Sequence, residues 1–184
     1  MNKYILITLL LFNYSCENNS HIRKYTLEKP KKNIKANNPD TLKIINKKFS
    51  WEAPLSWVLG EKTSMRIGSY KIPYSDGYGD LSITNFQGDG GGLEANINRW
   101  RKQINLNPLT LKEISEEAIY GKCSLGPYKL FKIINKEDPT VAFLCAVISS
   151  DSSTVFLKVN ITKDGILEIE KEFIDFISTF KFSK

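Results

Sequence analysis

Two stretches of this 184-residue chain place large apolar residues at helical spacing, and each follows a block of strand-like alternation, an order that restricts the fold more than any compositional average. In the first, Leu93, Ile97, Trp100 and Ile104 recur at intervals of four, three and four, which is one face of a 3.6-residue period. The spacing predicts an amphipathic helix over 93–104. In the second, Ile166, Ile169, Phe173, Phe176, Ile177 and Phe180 form a stripe that runs into a short exit strand at Phe182. Ahead of the first helix, Phe49, Trp51 and Ala53 alternate with polar residues until Pro54 stops the run, and Trp57 follows after a turn. Residues 64–73 read as a second strand ended by Pro73, and Leu81 to Phe86 as a third. The stretch 74–80, with Asp76-Gly77, supplies the turn of a hairpin between them. Between the helices, Thr110 to Glu117 is a more polar, short helical segment. Strand-like runs follow at 129–134, 141–149 and 154–162, the middle one apolar enough for the centre of a sheet. Strands, helix, strands, helix is the pattern of an α+β domain with a mainly antiparallel β-sheet flanked by two principal helices.

The first sixteen residues have a different design. Lys3 precedes an apolar run from Tyr4 to Phe12, broken only by Thr8, and the segment closes on Ser15-Cys16. This is the anatomy of a secretory signal, and the run falls short of the ~20 apolar residues of a spanning helix. A cysteine directly after a small residue is what lipoprotein processing requires, because the thiol takes the diacylglycerol before cleavage ahead of it. Residues 1–15 are therefore expected to be a lipoprotein signal peptide and Cys16 the lipidation site. The partner is then membrane lipid, and the location the bacterial cell envelope, on the periplasmic or surface face of the outer membrane. Tyr14 stands where such signals usually carry a small or aliphatic residue, and a plain secreted protein with an incidental cysteine is the competing reading.

The net charge of +6 would suggest a polyanionic partner if it were spread over the domain, but it is not. Residues 17–48 hold nine Lys or Arg against Glu17, Glu28 and Asp40, whereas residues 49–184 hold 16 basic and 17 acidic side chains. The basicity belongs to residues 16–48, a segment rich in Asn with Pro30 and Pro39 and few large apolar residues. Such a composition cannot offset its ordering entropy, so a flexible, lipid-anchored tether is expected there. Its lysines either lie along anionic headgroups or reflect biased codon usage. With no basic helix, zinc signature or exposed-aromatic strand motif, nucleic acid is not an expected partner. Residues 49–184 are sized for a single α+β globular domain.

Several short motifs add a resemblance. Trp51-x-x-Pro54-x-x-Trp57, Ser64-Met65-Arg66, Asp80-Leu81-Ser82, Phe86-x-Gly88 with Gly91-Gly92, Asn96-x-Asn98-Arg99-Trp100-Arg101-x-Gln103 and the ending from Phe156-x-Lys158 to Phe182 resemble a family of uncharacterised bacterial envelope proteins, many with lipoprotein signals. The likeness covers nearly all of 49–182. It departs at Val155, where that family tends to carry an aromatic residue beside Phe156. More remotely, the opening strand before Pro54 and Trp57 and the closing Phe-rich helix resemble PsbP/DcrB-like domains, which implies an α/β/α sandwich. Neither resemblance implies a known activity.

Candidate chemistry is sparse. The only histidine is His21, in the tether, which excludes a Ser-His-Asp or Cys-His centre and a His-rich zinc site from the domain. No cofactor and no metal site are expected. Cys123 and Cys145 both sit in strand-like segments, and two readings stand: a disulfide in an oxidising compartment, or two small buried apolar side chains. Gly88-Asp89-Gly90-Gly91-Gly92 leads into the first helix. Gly90, Gly91 and Gly92 could cradle an anion at the helix N-terminus, yet the loop lacks a P-loop Lys-Ser/Thr, and a connector of permissive glycines serves equally. Asn96, Arg99 and Gln103 border one side of the helix's apolar stripe, and Asn98 and Arg101 the other. Asn96, Arg99 and Arg101 are the candidate ligand-binding side chains. Asp76, Asp80 and Asp89 match no calcium-loop spacing. Glu168, Glu170 and Glu172 are expected on the solvated side of the last helix. The expectation is a non-enzymatic accessory or binding module with an envelope protein as a further partner. The competing reading is a small enzyme or solute- or anion-binding protein using the glycine loop and the two arginines.

Overall fold

A computed structural model describes the backbone of residues 41–45 and all of residues 49–183; the expected signal segment, Cys16 and most of the expected tether lie outside the described residues. The elements in order are β1 (Thr41–Ile45), β2 (Phe49–Pro54), β3 (Val58–Leu59), β4 (Arg66–Tyr74), β5 (Gly77–Gln87), α1 (Leu93–Gln103), α2 (Leu111–Glu117), β6 (Ile119–Cys123), β7 (Gly126–Ile134), β8 (Ala142–Ser149), β9 (Ser153–Ile161), α3 (Lys163–Ser178) and β10 (Lys181–Phe182). Seven strands form one antiparallel sheet in the order β3-β4-β5-β9-β8-β7-β6, and β1-β2-β10 form a second, smaller one. The domain is α+β with a mainly antiparallel sheet, as its periodicities imply.

Where the structure differs from expectation, pairing overrides composition. β1 pairs along the whole of β2, so the small sheet begins at Thr41, inside the stretch expected to be tether. The turn between β4 and β5 is only Ser75-Asp76, because Gly77 to Asp80 pair with Tyr74 to Lys71. The last helix starts at Lys163, where the Thr162 hydroxyl accepts from Gly165 N–H at 3.0 Å, the usual service of an N-cap threonine. Thr110 likewise begins α2 in a reciprocal capping box with Glu113. Asn105, at φ 56, ends α1 in the left-handed conformation that asparagine tolerates better than most residues.

Alternation along the central strands sends side chains into two separate apolar clusters. Leu144, Ala146 and Ile148 of β8, with Leu157 and Val159 of β9, join the cluster containing Ile166, Ile169, Phe173, Phe176 and Ile177 of α3 and Trp51 of β2. Phe143, Cys145 and Val147 of β8, with Phe131 and Ile133 of β7 and Phe156 of β9, join the one containing Ile97, Trp100 and Ile104 from the first helix and Ile114 of α2. Strands buried on both faces read as nearly continuous apolar runs, which is why 141–149 stands out in the sequence. Val155 is fully buried in the first cluster.

Aromatic rings dominate the α3 side. Trp51 stacks on Phe180 at 5.2 Å and its indole N–H donates to the Tyr70 hydroxyl at 2.8 Å, while Trp57 meets Phe176 at 4.7 Å. The three glutamates of α3 lie on its solvated side, with Glu168 exposed and Glu170 and Glu172 half-buried, and they also fasten the helix. Glu168 accepts from Ser75 N–H at 2.9 Å, Glu170 from Lys132 at 3.0 Å, and Glu172 from the Trp57 indole N–H at 2.7 Å.

Candidate functional site

The glycine loop is occupied by its own chain. Gly91 N–H donates to Asp89 Oδ1 at 3.0 Å, Gly88 N–H to Ser152 O at 3.0 Å, and the Thr154 hydroxyl to Gly88 O at 2.7 Å. Asn96, buried at 5% exposure, turns its amide back onto Gly90 O at 3.0 Å and Gly92 O at 2.7 Å and accepts from Arg99 Nη2 at 2.8 Å. Gly90 is required twice over: its φ is +65°, and a Cβ there would stand 2.5 Å from the Phe156 ring. The small cleft beside the loop, about 120 Å³, is lined by Asp89, Leu93, Lys129 and Phe156. That is below the ~300 Å³ of ordinary ligand pockets, and its lining carries one acid and one cation.

The structure brings Gly90, Gly92, Asn96 and Arg99 together, but not Arg101. Across the helix, Asn98 holds the following linker with both ends of its amide, donating to Leu109 O and accepting from Leu109 N–H, each at 2.8 Å. Arg101 Nε donates to Asn107 O at 2.8 Å, and its Nη1 lies 3.9 Å from Glu117. Asn98 and Arg101 therefore tie α1 to α2.

Cys123 and Cys145 are free and buried. They belong to different apolar clusters, Cys123 on the α3 side of the sheet and Cys145 on the α1 side. The expected alternative of a disulfide is thereby corrected: the sheet itself stands between the thiols. Burial pushes the Cys145 thiol far above its ordinary range, against a smaller opposite pull from Lys158, which disfavours the reactive thiolate.

Two groupings escape sequence reasoning because their members are far apart in the chain. One is a polar seam on the outer side of β4, β5 and β9. Arg66 makes a two-pronged bond to Asp80 at 3.0 and 2.8 Å and a third to Ser69 at 2.9 Å. Lys158 lies 3.6 Å above the Phe143 ring and donates to Gln103 Oε1. Burial pushes the Lys158 ammonium down, with Cys145 opposing and Arg99 and Arg66 adding to it. Every polar group of the seam named here has a partner, so it seals the edge of the α1 cluster.

The other grouping is a groove of about 640 Å³, lined by Arg101, Glu117, Ile119, Lys132, Ile134, Lys136, Pro139 and Lys163. Its size is that of a ligand site. It arises from unequal strand lengths: β6 pairs with β7 only as far as Ile119 opposite Leu130, while β7 continues to Ile134. The C-terminal end of α2 bounds one side, through Glu117, and the start of α3 the other, through Lys163. Four cations and one carboxylate line it, and Ile119 adds an apolar surface 43% exposed. Lys132 is paired with Glu170 at 3.0 Å. Lys136 and Lys163 form no ion pair among the described residues. Chemically the groove suits an anionic group beside an apolar one.

Fold and groove together define an α+β domain with a basic cleft at one edge of its sheet. No protein-family model and no curated protein matches the chain. Among solved structures it is similar to cyanobacterial PsbP (CyanoP) from Synechocystis sp., with 11% identity, 73% of this chain and 86% of that one covered, and a TM-score of 0.48. It is also similar to a protein from Bacteroides thetaiotaomicron, with 16% identity, a TM-score of 0.42, and coverage of 74% of this chain and 45% of that one.

Proposed function

We propose that the chain is a lipid-anchored binding module of the bacterial cell envelope, without catalytic activity of its own, which holds an anionic partner in the groove at the free end of β7. The observation that carries this reading is a pair of lysines: Lys136 and Lys163 line the groove and form no ion pair among the described residues, whereas Arg101 and Lys132 beside them are paired with Glu117 and Glu170. The anchor is acylated Cys16, on the signal-like segment before it, and the basic tether spaces the domain from the membrane. The domain is read as an α/β/α sandwich of the PsbP/DcrB kind, a reading supported by separate apolar clusters on the α3 and α1 sides of one sheet. Catalysis or anion capture by Gly90, Gly91 and Gly92 with Arg99 and Arg101 is the weaker reading. Arg99 is held by Asn96 and Arg101 by Asn107, and the Gly91 N–H is taken up by Asp89.

Two measurements test it. Metabolic labelling with palmitate marks the wild-type chain and not Cys16→Ser; a wild-type chain that takes no label refutes the anchor. Fluorescein-labelled polyglutamate binds the full-length chain in nonionic detergent, and a Lys136→Gln/Lys163→Gln variant weakens this at least fivefold. Absence of binding by wild type refutes the groove.

A further inference from the structure

The groove has a floor that cations alone do not explain. In the seven-stranded sheet β7 is the last strand but one, yet beyond Leu130 no strand among the described residues pairs with its outer edge. Phe131, Lys132, Ile133 and Ile134 therefore present one side of their backbone as an open sheet edge, and Lys132 and Ile134 of this stretch line the groove. An open edge is a template for another strand. At about 3.3 Å per residue the stretch is roughly 13 Å long, which accommodates four or five residues of extended chain laid end to end with β6.

Charge identifies the occupant. Lys132 and Ile134 occupy alternate positions of β7 and so share the α3 face of the sheet, where Ile119, opposite Leu130, also belongs. Lys136, just after β7, and Lys163, at the start of α3, also line the groove. In an added strand every second side chain would lie on that face, so acids at alternate positions would meet Lys136 and Lys163, the two lysines without an ion pair, beside the Lys132–Glu170 pair. The chain's own leader cannot supply such a segment, since residues 17–48 carry nine basic side chains and three acids. Resting on the binding-module reading of this groove, we infer that its partner is an extended peptide segment with acidic residues at alternate positions, bound by strand addition to β7.

The experiment titrates the full-length chain in nonionic detergent with a fluorescein-labelled hexapeptide alternating Glu and Thr, read by anisotropy. The same peptide N-methylated at every residue and a soluble short-chain phosphatidate serve as comparisons. The expected result is binding of the plain peptide, at least tenfold weaker binding of the N-methylated one, and slowed amide exchange at Phe131 to Ile134 in the complex. Lys136→Gln/Lys163→Gln weakens the plain peptide at least fivefold. Equal binding of both peptides overturns strand addition while leaving an anion groove. Displacement of the peptide by the phosphatidate at lower concentration than by unlabelled peptide overturns it in favour of a lipid headgroup. Tighter peptide binding by the double variant overturns it too, because the lysines would then serve only to keep other strands off the edge. Failure of polyglutamate itself to bind removes the underlying reading as well.

Discussion

Tyr70 gives the fold an alkaline limit that can be calculated and measured. Its side chain is fully buried beneath α3, edge-on to Trp57 at 5.7 Å and Phe176 at 6.0 Å, and its hydroxyl accepts the Trp51 indole N–H. Burial pushes its pKa from 10.0 up to about 12, with the bond from Trp51 pulling the other way. The fold holds the neutral phenol. Below pH 10 both folded and unfolded chains are neutral at this position and the contribution is present in full. As pH rises past 10 the unfolded chain ionises first, and stability falls until pH passes the folded value. At about 1.4 kcal/mol for each pH unit between the two values, the whole loss is about 3 kcal/mol, with about 1.4 kcal/mol of it gone by pH 11. Urea unfolding followed by far-ultraviolet circular dichroism, from pH 8 to pH 11, compares wild type with Tyr70→Phe. The variant starts lower, by about 1–3 kcal/mol, because the indole N–H is left without its acceptor. It then loses about 1.4 kcal/mol less than wild type on going to pH 11. Lys158, whose lowered pKa favours folding as pH rises toward 10.5, is common to both chains and cancels in the comparison. Parallel losses in the two chains would refute the burial of a neutral phenol as the source of the effect.

Three further outcomes follow from packing. Phe173→Ala removes a fully buried ring from the α3 cluster and should cost about 3–5 kcal/mol in urea unfolding, a cost under 1 kcal/mol meaning that α3 is not docked as described. Gly90→Ala forces a side chain into positive φ and against Phe156, and should cost about 2 kcal/mol; a melting temperature unchanged from wild type would contradict the loop geometry. Cys145 should resist a thiol reagent in the native protein and react once urea is added, and intact mass should show both domain thiols reduced after aerobic purification. Recovery of a peptide pair bridged between Cys123 and Cys145 would contradict their placement in separate clusters.

Much of the fold is legible in the sequence because burial leaves a period. The stripe from Leu93 to Ile104 faces the sheet as its spacing requires, with Trp100 packed edge-on to Phe156 at 5.9 Å, and the stripe from Ile166 to Phe180 is buried throughout. Boundaries follow less closely, because local turn chemistry is weaker than strand pairing. Asp76, Gly77 and Gly79 make 74–80 look like one long turn, yet Tyr78 and Asp80 are paired opposite Pro73 and Lys71. β6 has only five residues and is largely exposed, so it leaves almost no periodic trace. The solvated side of α3 is legible in its glutamates, but nothing in a linear sequence shows that Ser75, Lys132 and Trp57 reach them.

The candidate site is harder to read for a reason of topology. Asn96, Arg99 and Arg101 draw attention because they cluster in sequence, but on a helix adjacent letters diverge, and each of the three is bonded within the domain. The groove has the opposite signature. Arg101 comes from α1, Glu117 from α2, Lys132 from β7 and Lys163 from the start of α3, and they meet only because β6 stops short of the end of β7. Counting charge by region hides it as well, since 16 basic and 17 acidic residues average to almost nothing over residues 49–184. An even average still constrains the chemistry. A uniformly basic surface would draw any polyanion from a distance, whereas a few cations confined to one cleft act within about 8 Å at physiological ionic strength. Selection by such a cleft then has to come from contact, and the contacts available are an open strand edge, an exposed isoleucine and the lysines Lys136 and Lys163.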